Sequence, residues 1–249
     1  QTKIIRYKPI MMSNVTIYNP IIGLNLGIPL NILQYVFTNT YYNENIVNKE
    51  LVLMQFAIGI FTYGSDRLLD AISYRYTNIS TSNSNEKLDD SLTTNYYLKK
   101  KEYYDYLLNN INANIFTIVS SYIYIFNYLK YNEKTYPLLI ALTSTIYYRD
   151  FKKQFGYLKP IYIGLFWTMG TVLLPCIIHD NNYEILNHPT IYIPNFLLMF
   201  SSSNLLDIKD IEEDKKENIK TLAISLGENN SKLLSNYSSI LAFFIFLYN

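Results

Sequence analysis

The sequence predicts an all-α, polytopic transmembrane bundle, and three observations carry that prediction. They are the spacing of the charges, the length of the uncharged runs between them, and the loops in which Lys and Arg collect. The chain has 249 residues, 49% of them hydrophobic and 16% aromatic. Its mean hydropathy of +0.02 would suit a soluble protein. That average hides uncharged runs of 35, 15, 24, 14, 20, 22 and 17 residues at positions 9–43, 51–65, 106–129, 135–148, 160–179, 185–206 and 233–249, with His neutral. A helix needs about 20 mostly apolar residues to cross the hydrocarbon core. The runs at 51–65 and 135–148 are short and borrow length from flanking turns. Seven spans are expected, near 19–38, 51–72, 106–129, 135–148, 160–178, 187–206 and 233–249.

Seven spans place the connecting segments alternately on two sides. One side receives Lys3, Arg6, Lys8, Arg67, Arg75, Lys87, Lys99, Lys100, Lys101, Arg149, Lys152, Lys153, Lys159, Lys209, Lys215, Lys216, Lys220 and Lys232, which is 18 of the 21 basic residues. The other side receives Lys49, Lys130 and Lys134. Basic residues in short loops stay cytoplasmic, so the N-terminus and the basic loops are expected there. The first span is too long for a secretory signal and lacks a small-residue cleavage site.

Taken in order, span two ends in "FTYGSDRLLDAISY", with Asp66 and Asp70. The polar, Asn/Ser-rich stretch 73–101 follows and reads as a flexible loop, with Asp89 and Asp90 solvated. Span three leads to span four, and the loop "YYRDFKKQFGYLKP" returns to the basic side. Span five carries Cys176, the one cysteine, which excludes an intrachain disulfide and a cysteine-only metal site. It reads as a buried, inert thiol. Span six ends in "FSSSNLLDIKDIEEDKKENIKTLAISLG". His179 and His188 fall on the side away from the aspartates and receive no role. The chain starts with Gln and stops inside an apolar run. The expectation is one domain over 1–249, either continued in a longer gene product or truncated. A net charge of +1 gives no reason to invoke nucleic acid.

Asp66 and Asp70, four apart on a helix, differ by about 40° and rise about 6 Å, so they share a face. Asp207 and Asp214 nearly eclipse each other, and Asp210 lies about 60° away. Each stretch alone could be a solvated helix end, with pairs such as Asp66 with Arg67 or Asp210 with Lys216. Two such stretches at one membrane surface instead suggest carboxylates turned inward. Carboxylates at a membrane boundary need neutralising. Carboxylate pairs without Cys or well-placed His suit a hard cation. Mg²⁺ takes one or two carboxylates, keeps water and fills its shell with substrate phosphate. Arg149, Lys152, Lys153 and Lys159 lie at the same level, where basic groups offset charge on a departing phosphate. A diphosphate substrate follows.

"DIKDIEEDKKENIKTLAISLG" resembles the second aspartate motif of the UbiA superfamily of intramembrane prenyltransferases, similar to D-x-x-D-x-E-x-D-(K/R)-x-x-G-x-x-(T/S)-L-(A/P)-x-x-x-G. "YGSDRLLD" resembles the first, N-x-x-x-D-x-x-x-D. "YYRDFKKQFGYLKPIYIG" resembles the stretch after the fourth helix, where a Tyr and a Lys contact diphosphate. The resemblance implies a bundle of nine transmembrane helices around a central cavity. It implies Mg²⁺-dependent ionisation of a polyprenyl diphosphate to an allylic carbocation, and transfer to a lipophilic acceptor. Aromatic acids, quinone precursors, chlorin alcohols, haem and glycerol phosphates are all acceptors it allows. Carried over, Asp66, Asp70, Asp210 and Asp214 would be catalytic metal ligands, with Asp207 a further ligand. Tyr148, Lys152, Lys153 and Lys159 would hold diphosphate, and Tyr and Phe faces could meet the carbocation. The first-motif Asn falls on Thr62, the second-motif Gly falls on Asn218, and a T-x-R-P-like segment between spans two and three has no counterpart. These departures leave a non-catalytic membrane carrier or isoprenoid-lipid-binding protein of the same fold as the alternative.

Overall fold

The computed structural model describes residues 18–44, 46–81, 102–216 and 218–248. Asp89, Asp90 and the basic residues at 3–8, 87 and 99–101 lie outside them. The described residues form helices and turns without a strand. In chain order the helices are α1 (Tyr18–Tyr42), α2 (Lys49–Thr81), α3 (102–109), α4 (Ile111–Leu129), α5 (Tyr136–Ser144), α6 (Tyr148–Phe155), α7 (Lys159–Thr168), α8 (Leu174–Asp180), α9 (Pro189–Lys209), α10 (Ile211–Lys216), α11 (Leu222–Leu226) and α12 (Glu228–Tyr248).

On α12 the side chains sort in the sense opposite to a soluble protein. Its buried residues are Ser231, Ser235, Ser238 and Ala242. Leu233, Ile240, Leu241, Phe243, Phe244 and Leu247 point outward. α4 buries Asn114, Ile118, Ser121, Ile125 and Leu129 at helical spacing, while Phe116, Val119 and Ile123 of the same helix are exposed. Small polar residues inside and large apolar ones outside suit a lipid surround, where close backbone approach and hydrogen bonds hold helices together. The α9–α12 seam shows this directly. Ser201 Oγ donates to the Ser235 carbonyl at 2.9 Å, and Asn204 Nδ2 donates to the Ser231 carbonyl at 3.1 Å. An apolar core of Met54, Ile58, Phe61, Ile125, Leu138 and Leu174 joins α2, α4, α5 and α8.

One continuous helical stretch, Glu133–Asp180, is long and apolar enough to cross a membrane by length and composition alone, among the described residues. Its 48 residues would extend about 70 Å if straight. It is not straight, because Lys134 Nζ donates to the Asn181 carbonyl and Tyr183 OH donates to the Lys134 carbonyl. The stretch therefore doubles back through residues 145–158 and supplies both α5 and the returning α7–α8. A π turn, Met169–Leu173, joins α7 to α8. The Leu174 N–H reaches the Met169 carbonyl, five residues back. In that register the Gly170 carbonyl would look to residue 175 for its donor. Residue 175 is Pro, which has none. Gln55 Nε2 from α2 supplies the missing hydrogen bond, and it also donates to Gln34 Oε1 of α1 at 2.6 Å.

Two sequence expectations need correction. Residues 73–81, read as the start of a loop, continue α2, which runs to Thr81. They are held by packing that a local polarity reading cannot see: the Tyr74 ring meets Tyr104 at 5.2 Å, beside the buried Ala71 and Leu107. Span three is broken at Asn110, whose Nδ2 donates to the Tyr106 carbonyl at 3.0 Å and whose backbone leaves the helical region.

Candidate active site

The chain gathers its polar segments at two ends. At one end Tyr42 donates to the Asp180 carboxylate and, at 3.3 Å, to the Cys176 carbonyl. His179 Nε2 lies 3.8 Å from Glu44 Oε1 there, and the His188 ring packs on Tyr41. Cys176 is buried and free. Both histidines thus lie apart from the aspartates, as the sequence implies.

At the other end three segments converge: α2 with Asp66 and Asp70, the turn through α6 into α7, and the end of α9 with α10. Lys159, on the first turn of α7, donates to the Asp207 carboxylate. Lys152 of α6 lies 3.0 Å from Asp214 Oδ1. Asp207 is 0% exposed and the Asp214 side chain 2%. In each carboxylate the second oxygen, Oδ2, is buried without a hydrogen-bond partner. On α2, Asp70 is flanked by Arg67 at 3.6 Å and by Arg149 at 3.9 Å. Arg149 further donates to the Leu69 carbonyl at 3.2 Å and to Ser73 Oγ, which ties the basic turn to the first aspartate pair. Asp66 makes no ion pair within 4 Å among the described residues, but Lys152 and Lys159 lie within electrostatic reach. Tyr148 lies within the same reach of both Asp66 and Asp207. The structure therefore brings Asp66, Asp70, Asp207, Asp214, Tyr148, Lys152 and Lys159 together. Asp210, half-buried, caps α9, and its backbone N–H returns to the Asp207 carbonyl. Lys153 is exposed, and no ion pair ties it to these carboxylates among the described residues.

The tail of the second acidic stretch is built for turning the chain. Asn218 has φ of 55°. The Asn218 N–H bonds to the Lys215 carbonyl and the Ile219 N–H to the Asp214 carbonyl, at 3.2 and 2.8 Å. This is the Schellman arrangement, whose left-handed position takes Gly first and Asn next. Asn218 is thus an adequate replacement for glycine. Thr221 then caps α11 through the Ile224 N–H, and Gly227, at φ of 76°, opens α12. Gly156 makes room for this tail: a Cβ there would fall 2.9 Å from Ile219 Cγ2 and 3.0 Å from the Lys220 carbonyl oxygen. Thr62 fares less well as a replacement. Its hydroxyl is buried and donates back to the Ile58 carbonyl at 2.8 Å.

The profile of the UbiA prenyltransferase family matches residues 109–248. The chain belongs to the UbiA prenyltransferase family. The match contains the basic turn and the second acidic stretch, and it begins after Asp66 and Asp70. No curated protein and no solved structure matches the chain. UbiA-family proteins are helical membrane bundles with prenyltransferase-type activity, and this chain shares that general character.

The site also permits a test of fit for a metal. Among the described residues no three carboxylates, histidines or cysteines gather closely enough to encircle one ion. The donors come instead as pairs, with two orphaned, fully buried carboxylate oxygens. That set suits a cation needing only one or two protein carboxylates and completing its shell with water and phosphate, as Mg²⁺ does. The sequence reading names Arg149, Lys152 and Lys159 but not their partners, because the contacts of Arg149 with the Leu69 carbonyl, Lys159 with Asp207 and Lys152 with Asp214 span 80, 48 and 62 residues.

Proposed function

We propose that this UbiA-family chain transfers a prenyl group from a polyprenyl diphosphate to a lipophilic acceptor. The observation that carries the reading is the convergence of two aspartate pairs with Lys152 and Lys159 at one end of a lipid-facing bundle. Asp66, Asp70, Asp207, Asp210 and Asp214 would hold Mg²⁺. Bound Mg²⁺ would offset the charge that develops on the departing diphosphate. Lys152, Lys159 and the more exposed Lys153 add cationic charge to the same phosphates, and Tyr148 orients them through its hydroxyl. Below Tyr148 the rings of Tyr162, Phe151 and Phe166 form a ladder, with Tyr148–Tyr162 at 5.4 Å, Phe151–Tyr162 at 5.0 Å and Tyr162–Phe166 at 6.4 Å. Such faces stabilise positive charge on an allylic carbon and exclude the water that would quench it.

The assay is pyrophosphate release from geranylgeranyl diphosphate by detergent-purified protein, with and without Mg²⁺. Mg²⁺-dependent release is expected. Tight binding of the diphosphate without release would instead support a carrier of the same fold, for which the inward-turned Thr62 hydroxyl is the favouring observation.

The basic-residue bias supports a cytoplasmic position for this end. Cysteines placed at the exposed Glu212 and Glu133, at opposite ends, test it against a background thiol that is buried. In sealed cells a membrane-impermeant maleimide should label Glu133→Cys and spare Glu212→Cys. Equal labelling of both would defeat this topology.

A further inference from the structure

We infer that the aspartate site takes the divalent cation and the diphosphate together, as one chelate, because Lys152 and Lys159 hold the cation's place until the diphosphate arrives. This rests on the prenyltransferase reading of the site. In the structure each lysine occupies one oxygen of a carboxylate that would bind metal: Lys152 on Asp214 Oδ1 at 3.0 Å and Lys159 on Asp207 Oδ1. The other oxygen of each carboxylate is buried and unpartnered. The lysines therefore neutralise charge without completing the carboxylates' hydrogen bonding. Four aspartates here, Asp66, Asp70, Asp207 and Asp214, face four cationic side chains, Arg67, Arg149, Lys152 and Lys159.

A free divalent cation entering this site meets two ammonium groups already seated on its ligands. Like charges at a few ångströms in a poorly solvated site repel strongly. The cation would have to displace both lysines and leave them without counter-ions, which is costly for buried charge. A diphosphate changes that balance. Its oxygens accept from the lysines and bind the cation, so the aspartates pass to the metal while the lysines pass to phosphate. Every charge keeps a partner throughout, and the orphaned Oδ2 atoms gain one. Lys152, a quarter exposed, has room to swing. Lys159 sits on the first turn of α7 and is 14% exposed, so its ammonium reaches Asp207 from the rim of the bundle's buried interior.

The test uses the full chain in nanodiscs, with Mn²⁺ as metal probe read by electron paramagnetic resonance and radiolabelled inorganic pyrophosphate as anion probe. In wild type, Mn²⁺ alone should bind weakly, and pyrophosphate should bind only when Mn²⁺ is present. Lys152→Met should tighten binding of Mn²⁺ alone by about tenfold, which corresponds to about 1.4 kcal/mol. The same variant should weaken pyrophosphate binding in the presence of Mn²⁺. Lys152→Gln, which keeps a polar side chain, guards against a folding artefact and should behave alike. Tight binding of Mn²⁺ alone to wild type, or Mn²⁺ affinity unchanged in both variants, would overturn the exchange. Those results with Mn²⁺-dependent pyrophosphate binding intact would leave the prenyltransferase reading standing. Absence of pyrophosphate binding under every condition would remove both.

Discussion

Asp66→Asn, Asp70→Asn, Asp210→Asn and Asp214→Asn each lower prenyl transfer by at least about 100-fold, the scale of losing one strong electrostatic contact in a water-poor site. Each change keeps side-chain volume and removes one charge. The double variants Asp66→Asn/Asp70→Asn and Asp210→Asn/Asp214→Asn fall little further than their single parents, because groups that hold one ligand act as a unit. Asp105, exposed on α3, is the control, and Asp105→Asn retains activity. The measurement is initial rate against Mg²⁺ concentration in purified variants. Normal turnover and normal Mg²⁺ dependence in both Asp210→Asn and Asp214→Asn would reduce the acidic stretch to a structural helix end whose Asp214 serves only its ion pair with Lys152.

The second large effect is on stability. Asp207 is fully buried, and among the described residues its ion pair is with Lys159, itself 14% exposed. Lys159→Met strands a carboxylate in the bundle. Breaking a buried pair from one side costs about 3–5 kcal/mol. A clear fall in the thermal unfolding midpoint in detergent is expected. Adding Asp207→Asn to Lys159→Met removes the stranded charge and restores most of the loss, while activity stays low. A Lys159→Met protein as stable as wild type would show that the pair carries no structural weight.

The sequence discloses what depends on composition along the chain. The spans read from the charge-free runs locate α1, α4, α9 and α12 to within about five residues, and the start of α2, because lipid-facing helices need apolar side chains on every outward face. It also places Asp66 and Asp70 on one helical face. It locates the second acidic stretch, though it reads Asn218 as a loss where the backbone's left-handed conformation makes it a fair exchange. What it does not disclose is set by contacts between distant segments. The extension of α2 to Thr81 rests on aromatic packing against α3. The Arg149 tie rests on a carbonyl of α2. The cation beside Asp207 and Asp214 is lysine, and nothing local to "DIKDIEED" says so.

The brevity of α5 has a further consequence, for the bilayer itself. Its nine helical residues extend about 14 Å, and the tight turns Glu133–Thr135 and Thr145–Tyr147 add about 2 Å per residue. The whole falls short of a hydrocarbon core of about 30 Å. Ile140, 70% exposed midway along it, leaves this face open to acyl chains. A short apolar segment makes the surrounding lipid thin to match, at fractions of a kcal/mol per ångström. Beside α5 the headgroup layer is therefore expected to dip toward Tyr148 and Lys152, which follow it in the chain. A substrate whose tail lies among acyl chains and whose diphosphate lies among headgroups would meet the lysines at its own depth, with no charged group to drag through oil.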